Sequence, residues 1–228
     1  MSQPSHSSDE RRVADERRVA DERRVADERR VADERRSADS VPRGLRRPRP
    51  ERTALLVVDV QEKLSAVMSE ERMADLNRCA HILLGAAREL PLRVIFTEHY
   101  PKGLGPTNAA LRQDLEGLGA LRVEKTSFSA CGASGFGDAL PPDLDALIVI
   151  GMETHVCVFQ TVRDLIERGF AVHVPIYGVV SRRDDHRQVG LDLCTRAGAT
   201  LTTAETLVFD LLEHAGHPAF KALSRAMR

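Results

Sequence analysis

One stretch limits the possible folds more than any other: residues 145–172, DALIVIGMETHVCVFQTVRDLIERGFAV. Residues 146–150 form an almost wholly apolar, β-branched run, the pattern of a strand buried on both faces. Such a strand needs helices on either side of its sheet. Gly151 ends the run. From about Thr154 the period changes: Val158, Val162, Leu165 and Ile166 recur at helical spacing, with Arg163, Asp164 and Glu167 opposite. Gly169 closes this predicted helix, and residues 171–174 read as the next strand. The result is a βαβ unit with Cys157 at the strand-to-helix corner. A thiol there meets free backbone N–H groups and the positive end of the helix dipole, which favour thiolate. The alternative is one more buried core cysteine.

The chain has 228 residues, 42% of them hydrophobic, enough for one sizeable core. Its net charge of −1 conceals an asymmetry. Residues 1–50 carry 14 Arg against 11 acids, and the remainder 19 Lys or Arg against 23. Neither part is a strong polyelectrolyte, so the globular part carries no electrostatic footprint for nucleic acid. Cys79, Cys131, Cys157 and Cys194 are far apart and include no CxxC pair, which suggests neither a zinc site nor a disulfide framework. No apolar run is long enough to span a bilayer, and the acid-rich N-terminus is unlike a transit peptide. The expectation is a soluble cytoplasmic protein that needs no cofactor, no metal and no membrane.

Residues 9–36 repeat DERR five times with Val-Ala between the copies. In a helix, six residues advance about 600°, so Val13, Val19, Val25 and Val31 build no apolar stripe. The tract reads as a solvated single helix or as disordered chain. Residues 37–50 form a Pro- and Arg-rich linker, expected not to fold. This divides the chain into a tail and linker, 1–50, and a folded domain, 51–228.

Residues 53–60, TALLVVDV, repeat the buried-strand signal and end in an acid, Asp59. Asp59 is either a ligand-facing residue at a strand's carboxyl end or the N-cap of the following segment. An amphipathic helix is predicted over 71–90, stopped by Pro91. Residues 92–97 read as a strand leading to His99, which is either a pocket residue or a satisfied structural histidine. Residues 108–115 form a short helix. Residues 121–124 form a strand that delivers Lys125, read alternatively as an exposed surface charge. After the central unit come a strand and its exit over 172–180, a helix over 184–197, a strand over 200–203 and a helix over 204–213. Strands alternating with helices imply a mostly parallel, Rossmann-like open sheet in a three-layer α/β/α fold. Carboxyl ends of parallel strands share one edge, so Asp59, Lys125 and Cys157 can converge there.

VVDVQ at 57–61, EKTSFSA at 124–130 and GMETHVCVFQT at 151–161 resemble the isochorismatase-like cysteine hydrolase superfamily. TEHYPKGLG at 97–105, RGFAVHV, SRR and AGATLTTAE are similar to its isochorismatase-domain-containing branch. The resemblance covers about residues 52–215 and says nothing of the repeats. It implies an Asp59–Lys125–Cys157 triad in which Cys157 forms a thioester, Asp59 shuttles the proton and Lys125 holds Asp59 and favours thiolate. It further implies a cis peptide between Met152 and Glu153 that turns the N–H groups of Glu153 and Cys157 toward an oxyanion. Gln61, His99, Tyr100, Phe128, Thr154 and His155 are the expected substrate-binding residues, and a homo-oligomer is expected.

Two departures narrow the activity. Metal-dependent members use an Asp-x-His set with a further His, and here His99 stands alone. Members that hydrolyse a vinyl ether lack the cysteine, so Cys157 points to hydrolysis of an amide-type C–N bond in a small molecule. Vinyl-ether hydrolysis with Cys157 incidental, and a non-catalytic scaffold, are the competing readings. GASGFG at 132–137 does not follow a strand in the Rossmann manner and gives no nucleotide site.

Overall fold

The computed structural model describes residues 41–227. The repeat region, and with it the helix-or-disorder reading of residues 9–36, lies outside them. Residues 41–46 belong to a separate unit, and among these described residues Arg43–Leu45 form a 3₁₀ turn. The main unit runs from Arg47, four residues before the predicted start at Glu51. The reason is side-chain chemistry hidden in a linker-like composition. Arg49 pairs with Asp145 at 2.9 Å, its carbonyl accepts from Thr53 Oγ1 at 2.7 Å, and Arg47 pairs with Glu213 at 3.1 Å.

Seven strands form one sheet: β1 Thr53–Val58, β2 Arg93–His99, β3 Leu121–Lys125, β4 Ala146–Met152, β5 Ala171–Pro175, β6 Val179–Val180 and β7 Thr200–Thr202. Every pairing among them is parallel, and the order is β3-β2-β1-β4-β5-β7, with β6 continuing along β4 beyond β5. This is the doubly wound arrangement, with its reversal of strand order between β1 and β4. Six longer helices cover the sheet: α1 Glu70–Glu89, α2 Ala109–Gly117, α3 Phe159–Glu167, α4 Asp184–Ala197, α5 Ala204–Leu212 and α6 Phe220–Ala226. Ser69, Asn108 and Thr203 cap α1, α2 and α5 by accepting from backbone N–H groups in the first turn.

The period-2 geometry of β1 and β4 creates two cores. Leu55, Val57, Ile148 and Ile150 face α1, α2, α5 and α6, where Leu76, Leu83, Leu115 and Leu207 fill the layer. Ala54, Leu56, Val58, Leu147 and Val149 face α3 and α4, meeting Val162, Leu165, Leu191 and Cys194. Burying each such aliphatic side chain contributes roughly 1.5–3 kcal/mol. The three layers therefore follow from the two central strands being apolar on both faces.

Two elements depart from the sequence reading. The strand and exit expected over 172–180 form β5, which ends at Pro175, a 3₁₀ turn, Ile176–Gly178, and then a further short strand, β6, which the sequence reading did not separate. Gly178 allows this, because a Cβ there would lie 2.6 Å from Ile150 Cγ2 and 2.9 Å from Cys79 Sγ. The helix expected from 154 opens instead with a π turn, Thr154–Val158, before α3 begins. The extra residue of that turn determines where Cys157 points.

Candidate active site

The carboxyl ends of β1 and β4 flank the point where the strand order reverses, the usual ligand crevice of such sheets. Asp59 directly follows β1 with φ +52°, uncommon for a residue other than glycine, and its N–H donates to Thr97 O at 3.2 Å. The N-cap alternative for Asp59 is not realised. Its side chain is fully buried and bonds elsewhere. Lys125, the last residue of β3, reaches across β2 and donates to Asp59 Oδ2 at 2.6 Å, with neither side chain exposed to solvent. The other two ammonium donors go to Ser127 O at 3.1 Å and Phe128 O at 2.8 Å. Lysine has three donors and all are used, which is why this cation sits in the interior and not on the surface. Thr97 Oγ1 donates to Asp59 Oδ1 at 2.6 Å.

Cys157 lies within the π turn after β4, 7% exposed, and near enough to Asp59 and Lys125 for both charges to act on its thiol. The structure thus brings Asp59, Lys125 and Cys157 together, with Asp59 and Lys125 ion-paired. It corrects the electrostatic expectation. Burial, and then the charge of Asp59, push the Cys157 thiol up to about 12, and Lys125 only partly offsets them. The corner itself is a π turn in which Phe159 N–H donates to Thr154 O. The resting group is a neutral thiol with a carboxylate beside it. Cys79 and Cys194 are also raised to about 12, by burial first, so the base alone distinguishes Cys157 from them.

The turn is clamped on several sides. The Met152–Glu153 peptide is cis. Glu153 O accepts from Val156 N–H at 3.0 Å and Val158 N–H at 3.3 Å, while Ser181 Oγ accepts from Thr154 N–H at 3.1 Å. Burial opposes charge on Glu153, yet the Arg182 N–H at 2.9 Å and guanidinium at 3.1 Å outweigh it and hold the carboxyl below its ordinary range. Gly151, at φ +129°, admits no side chain: a Cβ would lie 2.0 Å from Val58 O. Gly190 on α4 packs just as closely, a Cβ there falling 2.7 Å from His155 N and Thr154 C. Gly190→Ala should therefore displace the nucleophile turn and lower turnover by about 100-fold, the scale of a misplacement near 1 Å. Steady-state rates measured alongside thermal unfolding would check this, and an unchanged rate would show that the turn tolerates the shift.

The expected substrate-binding residues divide. Gln61 is fully buried and wholly engaged: it donates to His99 O at 3.1 Å and Gly105 O at 2.6 Å, and accepts from His99 N–H at 2.7 Å. It braces the 99–105 loop through both amide hydrogens and its Oε1. His99 stacks on Phe128 with ring centroids 5.5 Å apart. Its Nδ1 is buried without a partner among the described residues, so the satisfied structural histidine is not what forms. Phe128 and Tyr100 are about half exposed; Tyr100 N–H donates to the Lys125 carbonyl at 2.8 Å, and Phe128 O accepts from the Lys125 ammonium, which ties both residues to Lys125. Thr154 is buried with Oγ1 unpartnered among the described residues. His155 contacts Ser181 Oγ at 3.1 Å and the His186 ring at 4.7 Å; burial lowers its pKa despite the pull of Glu153. Sequence reasoning missed Thr97, Ser181, Arg182 and Gly190. The SRR motif at 181–183 was the available signal for two of them.

Among the described residues no three His, Cys, Asp or Glu side chains are grouped to hold a metal, and no helix is long and apolar enough to cross a membrane. A doubly wound sheet with a cysteine, a carboxylate and a buried lysine at its switch point defines a hydrolase fold of the isochorismatase-like class. The isochorismatase domain model matches residues 53–206, and the chain belongs to that family. It is 35% identical over 180 residues to isochorismatase domain-containing protein 2 of Rattus norvegicus, covering 78% of this chain and 82% of that one. A structure titled MAR1 ribonuclease from Caenorhabditis elegans superposes with a TM-score of 0.73 at 36% identity, covering 79% of this chain and 92% of that one. A cysteine hydrolase from Pseudomonas syringae shares the fold at 23% identity, with a TM-score of 0.57 over 72% of this chain and 94% of that one.

Proposed function

We propose that this chain is a cysteine hydrolase that cleaves an amide-type C–N bond of a small molecule. One observation carries the reading: a buried carboxylate, ion-paired to Lys125 at 2.6 Å, lies near the buried Cys157 thiol. A thiol held near 12 does not wait as thiolate. Attack on the carbonyl carbon therefore proceeds with transfer of the thiol proton to Asp59, forming the C–S bond as the S–H bond breaks. Lys125 stays charged throughout and keeps the carboxylate in place. Protonated Asp59 then gives its proton to the leaving nitrogen, the C–N bond breaks, and a thioester remains. Asp59 next deprotonates water for attack on the thioester, and the proton it takes returns to Cys157. The backbone N–H groups of Glu153 and Cys157 are assigned to the oxyanion. His99, Tyr100, Phe128, Thr154 and His155 are assigned to the substrate, and Gln61 to the loop that carries two of them. A cytoplasmic homo-oligomer remains part of this reading.

Ammonia release from a panel of amides and ureides, with Cys157→Ala as control, is the test. Turnover of at least one compound, lost in the variant and unaffected by prolonged chelation, is the expected outcome. Turnover that persists in Cys157→Ala would replace the amide reading with vinyl-ether hydrolysis. Rate loss on chelation would revive a metal-dependent amidase. The relative titled a ribonuclease motivates a second reading, so structured and single-stranded RNA belong in the same panel. Lys125 and Arg182 are both committed to carboxylates, which supports a neutral carbonyl substrate over a phosphodiester.

A further inference from the structure

We infer that Thr97 is a positioning residue for the base: its hydroxyl fixes and tunes the Asp59 carboxylate that receives the Cys157 proton. The inference rests on the reading of Asp59 as that base. Thr97 is 1% exposed on β2, beside β1 in register with Val58, and its Oγ1 lies 2.6 Å from Asp59 Oδ1. Lys125 holds Oδ2 at the same distance, so the two carboxylate oxygens are pinned from two different strands. An ionised carboxylate only accepts, so the hydroxyl is the donor in this bond.

The bond does two things. It fixes the carboxylate plane, so that a free lone pair stays aimed at the Cys157 thiol. It also stabilises the ionised carboxylate, because a donor to the charged form opposes protonation. Lys125 supplies the charge at Oδ2, and the short, β-branched Thr97 side chain on a buried strand adds a second, rigidly placed donor at Oδ1. Backbone bonding adds to the constraint: Asp59 N–H donates to Thr97 O at 3.2 Å, so one residue holds both ends of Asp59. Val58↔Thr97 register places the hydroxyl there without any loop movement.

The test uses the full chain and iodoacetamide as probe, following alkylation of Cys157 by peptide mass spectrometry from about pH 5 to 9. Alkylation forms the S–C bond and expels iodide while the thiol proton passes to Asp59, so its rate reads the base directly. Thr97→Val removes the hydroxyl at near-constant shape, Thr97→Ala removes it with a smaller side chain, and Thr97→Ser keeps it. Both hydroxyl-free variants should alkylate about 10–100-fold more slowly near neutral pH, the scale of a lost hydrogen bond to a charged group. Their pH–rate profile should depart from that of the wild type, and Thr97→Ser should restore both rate and profile. A merely structural role would lower the melting temperature without moving the profile. If Asp59→Asn slows alkylation while the valine and alanine variants follow the wild-type profile, Thr97 is not a positioning residue. If Asp59→Asn leaves the rate unchanged, the base reading itself fails, and that result is distinct from the first.

Discussion

Cys157→Ala is expected to lower turnover by roughly 10⁴-fold or more, and Asp59→Asn by a similar factor, with the double variant costing little beyond either alone. The reason is that the pair acts as one unit. A thiol pushed up to about 12 is a poor nucleophile without a carboxylate to take its proton, and that carboxylate has nothing to accept once the thiol is gone. The same electrostatics predict the pH behaviour. Since the folded-state value of Cys157 is raised, no thiolate fraction builds up between about pH 5 and 9, and reactivity there should depend on Asp59. Iodoacetamide should label Cys157 faster than Cys79 or Cys194, which are buried and raised to about 12 without a paired carboxylate base. Half-exposed Cys131 is the fairer comparison, and Asp59→Asn should slow Cys157 without changing Cys131. Near-full turnover by Cys157→Ala would remove the covalent route altogether.

How much of this was legible follows from what each residue type can signal in one dimension. TALLVV and ALIVIGM are buried along their whole length, and their unbroken apolar character said so without any structure. Alternation with helices fixed the parallel sheet, and the carboxyl-edge rule put Asp59, Lys125 and Cys157 on one side. The state of the thiol was not legible. A local rule for cysteines at helix mouths favoured thiolate, but desolvation dominates. Lys125 ends a strand, LRVEK, whose other charged residues face solvent, so only the fold shows that this lysine points inward. Thr97 reads as an ordinary β-former. Its role exists only because β2 lies beside β1, a contact between residues 38 positions apart. Gln61 shows the opposite case: a polar residue after a strand resembles a ligand group, and this one bonds backbone carbonyls.

Lys125→Met should be the most destabilising single change at the site. It leaves the Asp59 charge buried with Thr97 as its remaining side-chain donor, and frees the carbonyls of Ser127 and Phe128 from their shared partner. Breaking a buried pair in this way costs about 3–5 kcal/mol, because one uncompensated charge stays in the interior. For a unit of this size that corresponds to a fall of roughly 6–20 °C in melting temperature. The pair itself need not be a net stabiliser, since desolvating two ions offsets much of their attraction. Lys125→Met combined with Asp59→Leu should therefore recover most of the lost melting temperature and remain inactive. That combination separates the two contributions of the pair: stability returns once no charge is buried, and catalysis does not return because no base remains. Circular dichroism melts of the wild type, Lys125→Met and the double variant provide the comparison, with ammonia release as the second readout. A Lys125→Met protein that melts with the wild type would mean that water reaches Asp59 and that the pair is not sealed. A double variant that stays as unstable as Lys125→Met would place the cost in the orphaned carbonyls of the 127–128 loop and not in the charge.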